Sequence, residues 1–409
     1  MTKYAATKDS GIKWIGAIPA TWKTHTLYQL VTQVKNKNSD LQEDNLLSLS
    51  YGKIKRRDIN SNGGLLPESF NGYNIIEDGD IVLRLTDLQN DHTSLRVGLA
   101  TERGIITSAY TTLRPIKKET SRYLYYLLHS FDIKKGFYGM GSGVRQGLNY
   151  DEVKELRVIL PSDAEQAAIV SYLDEQCTKI DAIIEDAKES IESFKKWRTS
   201  LVFEAVTKGI SKTVELKDSG IDIIGKIPKA WGLCRVRFLC SIMTGNQDTQ
   251  NAVENGKYPF YVRSPKIERA DTFTFDGEGV LMAGDGAGAG RVFHHAFGKY
   301  AIHQRVYCFH SFQNILPEFF CYFMENLFSS EMDKGSAKST VPSVRLPMLQ
   351  NFKLCIPPMD EQHEIVDYLN HKCGIIDWCI NEQLTLISDL DLYKKSLIYE
   401  VVTGKRKVV

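Results

Sequence analysis

The sequence predicts an α+β chain written twice. Two small mixed domains, each a sheet with a few helices, are joined by two long antiparallel helices that form a coiled coil, as an internal duplication about a pseudo-two-fold axis. Two repeats and one periodicity predict this. Residues 8–22, KDSGIKWIGAIPATW, return as residues 217–231, KDSGIDIIGKIPKAW, with ten of fifteen positions identical. Residues 161–207 return as 357–403 at a constant offset of 196, from Pro161 and Pro357 to Thr207 and Thr403. Inside that second repeat, apolar residues recur about every 3.5 positions, the coiled-coil period.

The first element is the short motif at 8–22, and the second is an insert, residues 23–160. Then comes a helix. Its apolar positions are Ile169, Leu173, Cys177, Ile180, Ile184, Ala187, Ile191, Phe194, Trp197 and Leu201. The second copy offers Ile365, Leu369, Cys373, Ile376, Ile380, Ile387, Leu390, Tyr393 and Leu397. Asp163 and Asp360 are candidate N-caps behind Pro161 and Pro357, and Gly209 and Gly404 are C-terminal stops. The organisation expected is therefore a domain at 1–160, a spacer helix at 161–212, a domain at 213–356 and a spacer helix at 357–409. A two-fold relation also brings the C-terminal segment against the first motif around Lys8.

Composition fits soluble domains with their own cores: 409 residues, 43% hydrophobic and 25% charged. Thirty glycines and twelve prolines are ordinary and exclude low-complexity classes. No run suits a membrane span, and the N-terminus lacks an apolar signal region, so a cytoplasmic location is expected, with no membrane partner. Eight cysteines without a C-x-x-C pair argue for reduced thiols and against zinc. The charge balance, 51 basic against 50 acidic, is less basic than a protein gripping nucleic acid unaided.

The two inserts, 23–160 and 232–356, look unlike each other, as if one architectural task were done twice and one recognition task in two ways. Both read as short strands broken by turns. GDIVLRLTDL, GIITSAYTTLRP and ELRVILP lie in the first, and YPFYVRS, GVLMAG, YAIHQRVYCFH and FKLCIP in the second. Polar and basic residues gather at the turns. The first insert carries Lys53, Lys55, Arg56, Arg57, Arg84, Arg145 and Gln146. The second carries Arg263, Lys266, His303, Gln304, Arg305, Lys334, Lys338 and Arg345. Arg, Lys, Gln and Asn carry the donor geometry that reads base edges, which makes these the candidate DNA-binding residues.

No catalytic constellation and no metal-ligand spacing emerges. GDGAGAG, Gly284–Gly290, follows a strand as a dinucleotide loop does, but no acidic residue follows before Glu318 and the next stretch reads as a strand. A tight β-turn is the better reading. A nucleotide-binding enzyme built on that loop, and a coiled-coil scaffold that binds proteins, are the alternative functions.

Taken together, the paired KDSGI…IP…W motifs, the P-x-x-x-E-Q helix starts (Pro161 to Gln166, Pro357 to Gln362), and the runs GDIVLRLTDLQN and GDGAGAGRVFHHAFGKYAIHQRV resemble the DNA-specificity subunits of type I restriction–modification enzymes. The resemblance spans essentially the whole chain. It implies that each insert is a target-recognition domain reading one half of a bipartite, asymmetric site on double-stranded DNA. It implies that the spacer helices, through positions such as Ile169, Leu173, Ile180, Ile184, Ile191, Ile365, Leu369, Ile376, Ile380 and Ile387, set the spacing and dock two methyltransferase subunits. Restriction/translocase subunits join through those. It further implies a non-catalytic chain without cofactors of its own, with S-adenosylmethionine, ATP and Mg²⁺ bound by the partners.

Overall fold

The computed structural model describes residues 3–59, 67, 69–88, 95–140, 147–211, 213–330 and 342–408. The chain divides into two compact units, Met1–Ala187 with Thr385–Val409, and Lys188–Leu384. Each unit thus owns one insert and parts of both long helices. The helices run over Asp163–Lys208 and Met359–Val402. Among the described residues, no helix is long and apolar enough to cross a membrane.

The helices start earlier than expected, the first cap by one residue and the second by two. Ser162 caps the first helix: its hydroxyl accepts the Glu165 N–H at 3.4 Å, and its own backbone N–H donates to the Glu165 carboxylate at 3.4 Å, a reciprocal capping box. Asp163 and Asp360 lie inside the first turn, where their charge meets the positive helix end instead of capping it. The stops are as expected, with Gly209 and Gly404 at φ +76° and +71°.

In the first unit, Ile169, Leu173, Cys177, Ile180 and Ile184 share a core with Leu397, Ile398, Val401 and Val402. The two segments run in opposite directions. Arg406 lies over the Tyr172 ring at 5.6 Å, and Lys394 Nζ lies 2.6 Å from Asp181. In the second unit, Val202, Ala205 and Val206 pack with Ile365, Leu369 and Cys373. Arg198 Nε lies 3.3 Å from Asp377, and Gly209 sits against Glu361, again antiparallel. Ile191 and Ile376 are buried, and Ile380 and Ile387 half-buried. Two stripe positions are corrected: Trp197 and Tyr393 are 53% and 47% exposed. A straight helix of 3.6 residues per turn drifts away from a 3.5-residue stripe. By these equivalent positions the buried line has moved to Arg198 and Lys394, whose stems pack while their cations pair with Asp377 and Asp181.

The short motif explains itself. Each copy is a hairpin, Thr7–Asp9 with Ala17–Pro19 and Leu216–Asp218 with Lys226–Pro228. Asp9 and Asp218 accept the N–H of Gly11 and Gly220, and Ser10 and Ser219 accept that of Ile12 and Ile221. The hairpin delivers a tryptophan to a helix start: Trp22 Nε1 donates to Glu165 at 3.2 Å, and Trp231 Nε1 to Glu361 at 2.8 Å. Gln166 and Gln362, both buried, donate back to the carbonyls of Pro161 and Pro357. Gly404 then packs on Pro19 and Trp22, and Gly209 on Trp231. The expected meeting of the C-terminal segment with the first motif is therefore present, reinforced by Tyr399 Oη donating to the Trp14 carbonyl at 3.2 Å and Lys405 to that of Ala17.

The inserts, so unlike in sequence, match strand for strand. Each holds a four-stranded antiparallel sheet. In the first unit its order is Val31–Gln33, Thr111–Pro115, Ile81–Leu83, Val97–Leu99. In the second it is Ser241–Thr244, Val306–His310, Gly279–Ala283, Phe293–Ala296. Lys23–Thr26 pairs with Arg157–Leu160 as Gly232–Arg235 pairs with Lys353–Ile356. Hairpin Leu47–Ser50/Lys53–Arg56 answers Tyr258–Tyr261/Glu268–Ala270. Two long strand readings are broken by turns, at 107–110 and at 303–305. Helix Ser121–Ile133 packs on the first long helix through Tyr126, which donates to Asp174 at 2.7 Å. Tyr322 makes the equivalent bond to Asn370 at 2.8 Å.

One buried group on that shorter helix sets a pH response. His129 stacks on Tyr125 at 5.5 Å, and its Nδ1 is buried without a hydrogen-bond partner among the described residues. Burial, aided by Lys394 and Lys395, pulls its pKa down to about 4. An unfolded histidine takes its proton near 6.5, so the unfolded chain binds more protons between the two values. The stability His129 contributes is full above pH 6.5 and is lost as pH falls through 4, a span worth about 3 kcal/mol. Urea unfolding at pH 7 and pH 4.5 is expected to show that loss, and His129→Leu to flatten it.

Candidate nucleic-acid interface

In the second unit the sheet gathers residues far apart in sequence. Tyr258–Tyr261 and Lys299–Ile302 run parallel, with Phe260 opposite Ala301 and Tyr261 opposite Ile302. Arg263 and the turn His303-Gln304-Arg305 therefore follow the same ends of two adjacent strands. Gly279–Ala283 pairs with Val306–His310 so that Ala283 faces Val306, which sets Asp285 beside Arg305.

The glycine-rich stretch 284–290 is the turn between two antiparallel strands, with no helix after it. Its glycines allow close backbone approach. A Cβ on Gly288 would lie 2.5 Å from the Arg263 carbonyl oxygen, and one on Gly284 3.0 Å from that of Arg305. Gly286 takes φ +75°. The turn thereby lodges Asp285 between two arginines: Arg263 Nη1 donates to Oδ1 and Arg305 Nη1 to Oδ2, both at 3.0 Å. Thr249, Arg263, Glu268, Asp285 and Gly288 line a groove of about 590 Å³.

His303 is only 2% exposed and braces this corner. Its Nδ1 accepts the Arg305 N–H at 3.0 Å, and Nε2 faces Thr249 Oγ1 at 3.3 Å. Burial, then the Arg263 cation, lowers its pKa, opposed by Asp248 and Asp285. The neutral ring orients the turn and offers no edge to solvent. Gln304 is exposed and donates to Asp248 at 2.6 Å. Lys266 pairs with Glu268 at 2.9 Å on the groove wall. Arg345 is exposed next to Val344, whose N–H bonds the Gly284 carbonyl at 2.8 Å. Lys334 and Lys338 lie outside the described residues, as do Arg145 and Gln146.

The first unit repeats the loop geometry. Arg84 opens the loop after Ile81–Leu83 and is half-buried. Leu148 N–H bonds the Leu85 carbonyl at 2.9 Å, the counterpart of Val344 on Gly284. The loop is held by Arg96, which the sequence reading missed. This fully buried guanidinium donates to the carbonyls of Arg84, Thr86 and Asp87 at 2.8 to 3.1 Å and to Tyr138 Oη. Asp87 stands at φ +59° under that clamp. The only sequence signal was a lone arginine at the start of the apolar stretch VGLA.

The basic group 53–57 is split by its strand. Lys53 lies at the turn beside Tyr51, which is 75% exposed, and Gly52 packs on Leu95. Arg56 lies three residues, about 10 Å, along the strand and is taken by Glu102, with Nε 2.8 Å from both carboxylate oxygens. That carboxylate raises the Arg56 pKa, and Arg56 lowers that of Glu102. Lys55 and Arg57 are exposed and have no ion-pair partner among the described residues.

The chain matches the family described as type I restriction modification DNA specificity domain over residues 19–193 and again over 228–375. It is 26% identical over 146 residues to the type I restriction enzyme EcoDI specificity subunit of Escherichia coli. That match spans 36% of this chain and 32%, about a third, of the relative. To the type I restriction enzyme MjaVIII specificity subunit of Methanocaldococcus jannaschii it is 22% identical across 96% of the chain and 94% of the relative. A solved chain from work on complex assembly and conformational transition of the type I R-M system superposes with TM-score 0.69. It is 16% identical, and the match covers 94% of this chain and 98% of that one, so the fold is shared. With two copies of the family's domain matched, one on each repeat, the chain belongs to the type I restriction–modification DNA specificity family.

Proposed function

We propose that this chain is the DNA-reading, non-catalytic subunit of a type I restriction–modification complex, each unit reading one half of a bipartite, asymmetric site. The observation that carries this is the common loop pair. In both units, the loop after the third strand of the four-stranded sheet is hydrogen-bonded by a segment that precedes the last strand of the insert, Leu148 on Leu85 and Val344 on Gly284, with Arg84 beside it in the first unit and Arg263, Asp285 and Arg305 beside it in the second. The near-neutral charge agrees with a subunit whose partners supply much of the phosphate neutralisation. Exposed apolar residues on the long helices, Trp197, Ile375 and Trp378 in the second unit and Leu392 and Tyr393 in the first, offer area for two methyltransferase subunits. Restriction/translocase subunits would join through those, and S-adenosylmethionine, ATP and Mg²⁺ would be theirs. A nucleotide enzyme on 284–290 is disfavoured because that turn is filled by its own Asp285–arginine contacts.

Co-expression with the methyltransferase subunit tests the proposal. The expected result is a complex with two methyltransferase copies per chain that methylates adenine at one bipartite sequence. The chain alone is expected to bind DNA weakly and with steep salt dependence. A chain that forms no such complex, or whose complex methylates without sequence preference, contradicts it.

A further inference from the structure

The corner around Asp285 is built unlike a phosphate grip. Two guanidiniums are fixed by the two oxygens of one carboxylate that is only 15% exposed, while Arg263 and Arg305 are themselves 45% and 62% exposed. Each arginine gives Nη1 to Asp285. Among the described residues, nothing accepts from the Nε or Nη2 of either. Two oriented forks therefore stand pre-set at a groove, with little side-chain entropy left to lose.

The charges nearby argue for a base edge over a backbone. Arg263, Arg305 and Lys266 stand among Asp248, Glu268 and Asp285, so these six charges sum to zero and the three carboxylates repel phosphate. The same mixture suits a G·C pair in the major groove: guanine presents O6 and N7 as acceptors to an arginine fork, and cytosine presents an N4 donor to a carboxylate.

We infer that Arg263 and Arg305 read guanine in the half-site of the second unit, with Asp285 as the positioning residue that aims both forks. The inference rests on the DNA-reading function proposed above. It gives the glycine-rich turn a purpose: Gly284 and Gly288 bring Asp285 close enough to hold both arginines, and no phosphate enters the turn.

The test is selection of a randomised DNA duplex pool by the chain in complex with its methyltransferase subunits. The expected site contains guanine in one half. Arg263→Ala and Arg305→Ala relax selection at guanine positions of that half only, and weaken binding of the selected duplex by about 10- to 100-fold. Replacing those guanines by 7-deazaguanine, which lacks the N7 acceptor, has an effect of similar size. Arg305→Lys keeps the charge but loses the fork, so guanine preference falls while salt dependence holds. Asp285→Asn relaxes the same positions and spares the other half-site, which doubles as the check that the complex remains assembled. A half-site without guanine, or arginine variants that weaken all duplexes equally with guanine preference intact, overturns the inference and points to phosphate contact. If the wild-type complex selects no sequence, the DNA-reading function itself falls, and this inference with it.

Discussion

Trp22→Ala and Trp231→Ala are each expected to cost about 4 kcal/mol of stability, within the range for truncating a buried tryptophan. Trp22 is fully buried and Trp231 is 1% exposed. Trp22 meets Tyr4 edge-on at 5.8 Å and Tyr123 at 6.5 Å, and Gly404 closes over it. Each indole also donates to a helix-start glutamate, Glu165 or Glu361, so truncation opens a cavity and strips that carboxylate of a partner. The tryptophan is where hairpin, helix start and the end of the other long helix converge. A loss of that size is a large share of a typical domain's total. Urea unfolding followed by circular dichroism measures it, with Trp→Phe expected to keep most of the volume and lose less. A cost below about 1 kcal/mol for the alanine variants would mean that the motif is not the clamp described.

The frame was legible because its signals are local and repeated. KDSGI is a turn with its own side-chain bonds, P-x-x-x-E-Q is a helix start, and the apolar stripe persists over many turns. Trp197 and Tyr393 were misplaced because a heptad reading ignores helical drift over that length. The common topology of the inserts was not legible, since strands of two to five residues fix only a few side chains and the loops between them are free to diverge. The candidate interface was half legible. Arg263, Gln304 and Arg305 were named from residue type, and the structure brings them together. Their organiser, Asp285, was hidden inside a glycine run that looks like a nucleotide loop. His303 has the right chemistry but is buried, and Arg56 is spent on Glu102. Arg96 was invisible because its work is done on backbone carbonyls some ten residues earlier in the chain, through contacts that no periodicity records.

The second large effect concerns the site on DNA. Replacing residues 23–160 by the chain's own residues 232–356 is physically reasonable because the seats are equivalent. The junctions Trp22 and Trp231, and Pro161 and Pro357, correspond. The first insert rests on Ile169, Leu173 and Cys177 with Ile398, Val401 and Val402. The second rests on Ile365, Leu369 and Cys373 with Val202, Ala205 and Val206. These sets are related by the same offset of 196. Since each wrong base pair typically costs about 1–3 kcal/mol, exchanging a reader is expected to abolish recognition of its half-site outright. The deciding measurement is the sequence methylated by the complex that carries this exchanged chain. The half-site read by the first insert is predicted to be replaced by the sequence read by the second, with the other half unchanged. Retention of the original first half, or alteration of both halves, would contradict the assignment of one reader to each unit.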